Sequence, residues 1–159
     1  MKVLSIIIPA YNEVKTVANV IQAIELLDIA PVVKELVIVD DGSTDGTREI
    51  ISRYKEKFTV LFHEKNKGKG AAIHTALKYV TGGYIIIQDA DSEYNPQDIK
   101  TVIEKAVREK LPVVYGSRIL GKNRRGQFYY YAGGKLITFI TNLLYGSALT
   151  DEPTGYKLV

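Results

Sequence analysis

The sequence predicts an α/β fold, a mostly parallel sheet with helices on both faces. Three observations carry that reading. Short β-branched and apolar runs alternate with stretches of helical period over residues 3–115. The segments between the runs are long enough to be crossover helices, which parallel strands require. Every polar, turn-rich cluster falls directly after a strand, so the clusters gather along one edge of the sheet, where α/β proteins place their ligands.

The elements follow in order. Residues 3–8 form a first strand, closed by the turn Pro9-Ala10-Tyr11-Asn12-Glu13. Val17, Val20, Ile21, Ile24 and Leu27 mark one helix face. Pro31 lies in the connection to a second strand, 36–39, which ends in the turn-rich run Asp40-Asp41-Gly42-Ser43-Thr44-Asp45-Gly46. That run can cap a helix burying Ile50, Ile51 and Tyr54. A third strand, 58–62, leads through Lys65-Asn66-Lys67-Gly68-Lys69-Gly70 to a helix with Ile73, Ala76, Leu77 and Val80 inward. Tyr84–Ile87 reads as a strand buried on both faces. Asn95-Pro96 supplies an N-cap and a proline at the first helical position, ahead of the stripe Ile99, Val102, Ile103 and Ala106. Residues 112–115 give a fifth strand. A basic loop, Lys122-Asn123-Arg124-Arg125-Gly126, precedes a long helix within 129–149 whose Leu136, Phe139, Ile140, Leu143 and Leu144 are expected to pack into the core. A lipid-facing groove is the alternative for that stretch.

Composition narrows the function classes. A chain of 159 residues is one domain by length, and 46% apolar with 25% charged residues is ordinary for a folded globular protein. The net charge of +3 gives no argument for a nucleic-acid partner or an anionic membrane, although basic residues cluster at 65–69 and 122–125. The absence of cysteine excludes disulfides, thiolate metal sites and a cysteine nucleophile. The apolar run at the N-terminus is too short for a signal peptide and stops at Pro9, and no segment approaches the roughly 18 apolar residues of a membrane span. A cytoplasmic location fits these features.

The chemistry starts where the fourth strand stops, at Asp89-Ala90-Asp91, with Glu93 two residues on. Carboxylates at a strand tip suit a hard divalent cation, Mg²⁺ or Mn²⁺, that keeps positions open for phosphate. Asp-x-Asp alone is equally a solvated turn, so its meaning depends on what else the chain offers a phosphate. A dinucleotide fingerprint fails, because Ile73 stands where the third small residue belongs after Gly68 and Gly70. A P-loop over Gly116 to Lys122 fails at Asn123, which replaces the metal-holding hydroxyl. A nucleotide-sugar site is the third reading, and it rests on a family resemblance.

The ordered set Pro9-Ala10-Tyr11-Asn12-Glu13, Val39-Asp40-Asp41-Gly42-Ser43-Thr44-Asp45-Gly46-Thr47, Asn66-Lys67-Gly68-Lys69-Gly70-Ala71-Ala72 and Asp89-Ala90-Asp91 resembles the inverting GT-A glycosyltransferases of family 2. Gly116-Ser117-Arg118 and Asp151-Glu152-Pro153-Thr154-Gly155-Tyr156-Lys157 look like the branch of dolichyl-phosphate mannose synthase and the polyprenyl-phosphate glycosyltransferases. The resemblance covers essentially the whole chain. It implies a GT-A, Rossmann-like domain over 1–159 that ends before the family's catalytic domain does. Residues 1–115 would be the nucleotide-sugar half, and 116–159 the start of the acceptor side.

The roles it implies can be set against the chemistry of each residue. Pro9, Tyr11, Glu13, Val39 and Asp41 would line a nucleoside pocket, Tyr11 offering a ring face and the carboxylates accepting from base N–H groups or ribose hydroxyls. Asp89 and Asp91 would hold the cation, Ala90 leaving backbone room, and Glu93 either completes the coordination or is a surface turn. Lys67 and Lys69 sit at a helix start that favours anions, or are a solvated loop. Arg118 would fork two donors onto phosphate, and Arg124 and Arg125 close over the acceptor or stay solvated. Asp91, Arg118 and Asp151 form the expected catalytic set, Asp151 being the one candidate base, or else a group that orients Arg118 or the acceptor loop. Pro9 and Gly42 serve as well as simple turn residues. His63 and His74 match no motif and are read as structural or exposed, and the tyrosines at 129–131 as packing.

The resemblance therefore implies metal-dependent, inverting transfer of a sugar from a GDP- or UDP-linked donor to a polyprenyl phosphate, at the cytoplasmic face of a membrane in the complete protein. Transfer to a glycan hydroxyl, a nucleotidyltransferase and a binding-competent but inactive fragment stay open beside it.

Overall fold

The computed structural model describes residues 2–92, 94–117 and 128–159, with the side chains of all of these except 128–132. The elements run β1 (Val3–Ala10), α1 (Val17–Leu26), β2 (Val33–Asp40), α2 (Thr47–Ser52), β3 (Thr59–Phe62), α3 (Lys69–Ala76), β4 (Tyr84–Ile87), α4 (Asp98–Glu109), β5 (Val114–Tyr115), α5 (Phe128–Tyr145) and β6 (Lys157–Leu158). They build one mixed sheet in the order β3-β2-β1-β4-β6-β5. The pairs β1·β2, β1·β4 and β2·β3 are parallel, and β6 runs antiparallel to both β4 and β5.

Alternation along β1 explains the two-faced core. Leu4, Ile6, Ile8 and Ala10 face α1, α2 and α4, packing with Val17, Ile21, Ile24, Ile51, Ile99 and Ile103. Ile7 points the other way, with Val37 and Val39, onto Ala72 and Ala76 of α3. The small alanines let α3 lie close to the sheet. Each fully buried isoleucine of β1 contributes roughly 1.5–3 kcal/mol relative to exposure, and a one-residue slip in register would forfeit the whole set.

The structure revises five expectations. β1 continues through Pro9 and Ala10, which pair with Val39 and Asp40. Proline is tolerated in this central strand because the carbonyl of Ile7 accepts from Gln88 N–H, so residue 9 also faces the β4 side, where β4 has ended. The third helix stops at Ala76, leaving Leu77 45% exposed instead of buried. α4 begins at Asp98, and Asn95 acts one turn earlier, its Oδ1 accepting from Gln97 N–H at 3.1 Å. Lys157–Leu158 is a strand the sequence did not announce. Five apolar residues of α5 expected in the core do not enter it: Leu136, Phe139, Ile140, Leu143 and Leu144 are 44–72% exposed, because the helix rests on the domain through Thr138 and the half-buried Asn142. Among the described residues no helix is long and apolar enough to cross a membrane.

Candidate active site

The hollow past the carboxyl ends of β1, β2 and β4 has a volume of ≈ 280 Å³ and is lined by Pro9, Ala10, Tyr11, Glu13, Asp41, Asn66, Lys69, Ala72, Asp89, Ala90 and Asp91. Parallel neighbours put three strand tips side by side, and each tip delivers one polar turn.

The first two turns are laced together. Asn12 adopts the left-handed region, at φ 54°, which its short side chain tolerates. Its Oδ1 accepts from Thr44 N–H at 2.9 Å, while its own N–H reaches Ser43 Oγ at 3.0 Å. Glu13 N–H donates to Thr47 Oγ1 at 2.8 Å and Val14 N–H to Asp45 Oδ2 at 3.1 Å. Asp45 also accepts from Thr47 N–H at 3.0 Å, so it serves the start of α2 and leaves Asp41 to the hollow. The lacing presents Tyr11, 44% exposed, at the rim.

Asp41 is almost wholly buried and heavily engaged. Its Oδ1 meets His63 Nδ1 at 2.6 Å and accepts from Lys67 N–H at 3.0 Å, and its Oδ2 accepts from Gly68 N–H at 2.8 Å. Gly42 beside it shows why that turn needs glycine. Its φ is +75°, and a Cβ there would lie 2.4 Å from the Lys65 carbonyl carbon and 2.6 Å from Asn66 N. The 65–68 loop thus runs directly over the 40–43 turn and enters α3 at Lys69.

The third turn holds the carboxylates. Gln88 is fully buried; its Nε2 donates to the Asp89 carbonyl at 3.0 Å, and its Oε1 accepts from the Tyr156 hydroxyl. Asp89 is half-buried and ion-paired with the Lys69 ammonium, whereas Asp91 is exposed. Burial, and next the nearby Asp98 charge, push the Tyr156 phenol up, so it stays a donor.

The fit to a divalent cation rests on the donor set. Among the described residues no three histidine, aspartate or glutamate side chains are placed to hold a metal ion together. Asp89 and Asp91 share the hollow, however, and Mg²⁺ typically takes one or two carboxylates and fills its shell with substrate phosphate and water. The Lys69 ammonium on Asp89 shows that this position draws positive charge.

Most of the expected site residues meet here: Pro9, Tyr11, Glu13, Asp41, Lys69, Asp89, Ala90 and Asp91 all line the hollow. Val39 does not; its side chain is fully buried under α3. Asp151 is also buried and is not among the lining residues. Glu93, Arg118, Arg124 and Arg125 lie outside the described residues, as do the side chains at 129–131. Sequence reasoning read His63 only as structural or exposed, placed Tyr156 in a motif without a role, and assigned nothing to Gln88 or Tyr94. Gln88 did carry a signal, being a polar residue inside a run otherwise buried.

A mostly parallel sheet whose polar turns gather around one hollow at its carboxyl edge defines an α/β domain of the Rossmann-like class. The chain belongs to glycosyl transferase family 2, which matches over residues 5–159. It is 33% identical over 176 aligned residues to the UDP-N-acetylglucosamine–dolichyl-phosphate N-acetylglucosaminyltransferase of Methanococcus voltae, covering 98% of this chain and 68% of that protein. Among solved structures it is similar to the mannosyltransferase PcManGT from Pyrobaculum calidifontis in complex with GDP-Man and Mn²⁺, at 29% identity and a TM-score of 0.56, covering 65% of this chain and 32% of that one. Mannosyl-3-phosphoglycerate synthase from Rubrobacter xylanophilus, 23% identical, shares the GT-A fold over 99% of this chain and 53% of its own, with a TM-score of 0.72. Further curated relatives are longer too, the chain spanning 62% and 50% of two from Methanocaldococcus jannaschii.

Proposed function

We propose that this domain binds a nucleotide-diphosphate sugar across the hollow and transfers the sugar, with inversion, to a polyprenyl phosphate. The observation that carries the reading is the convergence of Tyr11, Glu13 and Asp41 with Lys69, Asp89 and Asp91 around one cavity. The first three offer a ring face and acceptors to the nucleoside; Lys69 offers its charge to the diphosphate, and the two aspartates offer ligands to a cation that would neutralise it. The dolichyl-phosphate substrate in the name of the Methanococcus voltae relative supports the acceptor class, and the Mn²⁺ bound with GDP-Man in PcManGT supports a divalent cation.

Asp89 and Asp91 would hold Mg²⁺ or Mn²⁺, which when bound neutralises the departing diphosphate as a Lewis acid. Lys69 adds a second positive charge on the same side. An acceptor phosphate oxygen attacks the anomeric carbon as the bond to the diphosphate breaks, and the electron pair leaves with the nucleoside diphosphate. A phosphate monoester is already ionised near neutral pH, so no group need remove a proton. That suits a hollow in which Asp151, the expected base, takes no part in the lining. Arg118 and Glu93 are proposed for phosphate and cation contacts on the strength of the family resemblance.

Calorimetry with UDP and with GDP, each with and without Mn²⁺, tests the donor side. Radiolabelled sugar entering a lipid extract only when polyprenyl phosphate is supplied tests the acceptor side. Label transferred only to a glycan, or pyrophosphate released in place of nucleoside diphosphate, overturns the proposal.

A further inference from the structure

His63 has no part in the reading above, yet its buried ring ties a carboxylate of the hollow to α3. It lies one residue past β3, where its N–H donates to the Asp40 carbonyl at 2.8 Å and extends the ladder. Its own carbonyl accepts from Arg48 Nη2, and Arg48 Nε donates to Asp40 Oδ2 at 2.8 Å. The backbone is therefore fixed on both sides. Only 7% of the residue is exposed, so both ring nitrogens need partners. Nδ1 lies 2.6 Å from Asp41 Oδ1, and Nε2 lies 3.0 Å from Thr75 Oγ1 on α3.

An ionised carboxylate only accepts, so the network assigns a hydrogen to Nδ1. Thr75, a hydroxyl, satisfies Nε2 in either role. The same Asp41 oxygen accepts from Lys67 N–H, and its partner oxygen from Gly68 N–H. Asp41 is thus the peg on which the 66–68 backbone hangs, and His63 holds the peg. That backbone delivers Asn66 and Lys69 to the hollow, and Lys69 reaches Asp89. His63 itself is not among the lining residues and acts only through Asp41 and Thr75.

We propose that His63 is a positioning residue for nucleotide binding: by clamping Asp41 from beneath, it fixes both the pocket carboxylate and the loop that carries Lys69. The inference rests on the reading of the hollow as a nucleotide site.

Two near-isosteric variants separate the clamp from simple packing. The amide nitrogen of asparagine falls where Nδ1 stands, and that of glutamine where Nε2 stands. His63→Asn keeps the donor to Asp41 and gives up Thr75; His63→Gln does the reverse. With Mn²⁺ present, calorimetry on the nucleoside diphosphate the wild type prefers should leave His63→Asn within about threefold of wild type. His63→Gln should weaken binding tenfold or more, although the two melt at similar temperatures. Equal weakening in both variants, or losses that follow melting temperature, overturns the clamp while leaving the nucleotide site standing. Failure of the wild type to bind either UDP or GDP overturns the reading of the hollow and the clamp with it. If neither variant folds, NMR of the unaltered protein decides. The chain has two histidines, and nucleotide should shift the buried His63 ring signals while those of the exposed His74 stay put. A His63 signal that does not respond sinks the inference.

Discussion

The Lys69 ammonium rests on Oδ1 of Asp89, so a lysine occupies the carboxylate proposed for the divalent cation. The two cations compete for one oxygen, and a bound diphosphate would resolve the conflict by drawing Lys69 onto itself. Lys69→Met should therefore have opposite effects on two affinities. Mn²⁺ should bind the nucleotide-free protein about threefold to tenfold more tightly, a modest gain because the lysine is half exposed and its ion pair is screened. Nucleoside diphosphate, with Mn²⁺ saturating, should bind about tenfold more weakly, about 1.4 kcal/mol. Electron paramagnetic resonance titration of Mn²⁺ measures the first and calorimetry the second. Both affinities moving in the same direction would count against the competition.

The carboxylates themselves give a sharper result. Asp89→Asn and Asp91→Asn keep shape and hydrogen bonding but lose the charge that a hard cation needs. Each should abolish the difference in nucleotide affinity seen with and without Mn²⁺, and chelation of the wild type should reproduce that loss. Transfer should fall by about 10² to 10³, the scale of removing one preorganised charge-stabilising group. Retained metal dependence in both variants would place the cation elsewhere.

Much of this hollow was legible because its parts are local. A β-branched run followed by an acidic turn reads the same in sequence and in space, as Tyr84–Ile87 and Asp89 show. What escaped depends on partners far along the chain. His63 gains its meaning from Asp41 and Thr75, 22 and 12 residues away. β6 is two residues long and is a strand only because β4 and β5 flank it. α5 shows the converse error: helical apolar spacing predicts a buried face only when another element covers it, and five of its apolar side chains stay 44–72% exposed.

At the far end of the sheet, Glu35 gives a pH signature independent of the site. Burial alone would push its carboxyl up, but hydrogen bonds from the Ser5 hydroxyl, Thr81 N–H and Thr81 hydroxyl outweigh that and hold it below the usual value. A depressed carboxyl stabilises the fold fully above the unfolded value of about 4.3 and loses that contribution as pH falls through the folded value. Glu35→Gln should accordingly cost about 0.5–1 kcal/mol at pH 7, the range for a partly exposed hydrogen-bonded charge. The gap between variant and wild type should close below pH 4. Thermal melts from pH 3 to 7 measure it, and a gap that widens toward acid would reverse the assigned sign.

Tyr156 couples stability to the carboxylate turn. Its ring packs against Tyr94 with centroids 4.9 Å apart, and its hydroxyl donates to Gln88 Oε1 and lies 2.9 Å from the Asn95 carbonyl. Gln88 in turn donates to the Asp89 carbonyl. Tyr156→Phe keeps the ring contact but strands a fully buried amide oxygen, which costs roughly 1–3 kcal/mol. Because burial holds the phenol protonated, that cost should stay constant from pH 5 to 9. The double variant Tyr156→Phe with Gln88→Leu removes the stranded oxygen together with its donor, so much of the stability should return. Metal-dependent nucleotide affinity should fall in the double variant, since only there does the Asp89 carbonyl lose the amide that pins it. Urea unfolding and Mn²⁺-dependent calorimetry on both variants separate the two effects. Affinity that is unchanged in the double variant would mean that Gln88 serves the core and not the carboxylates.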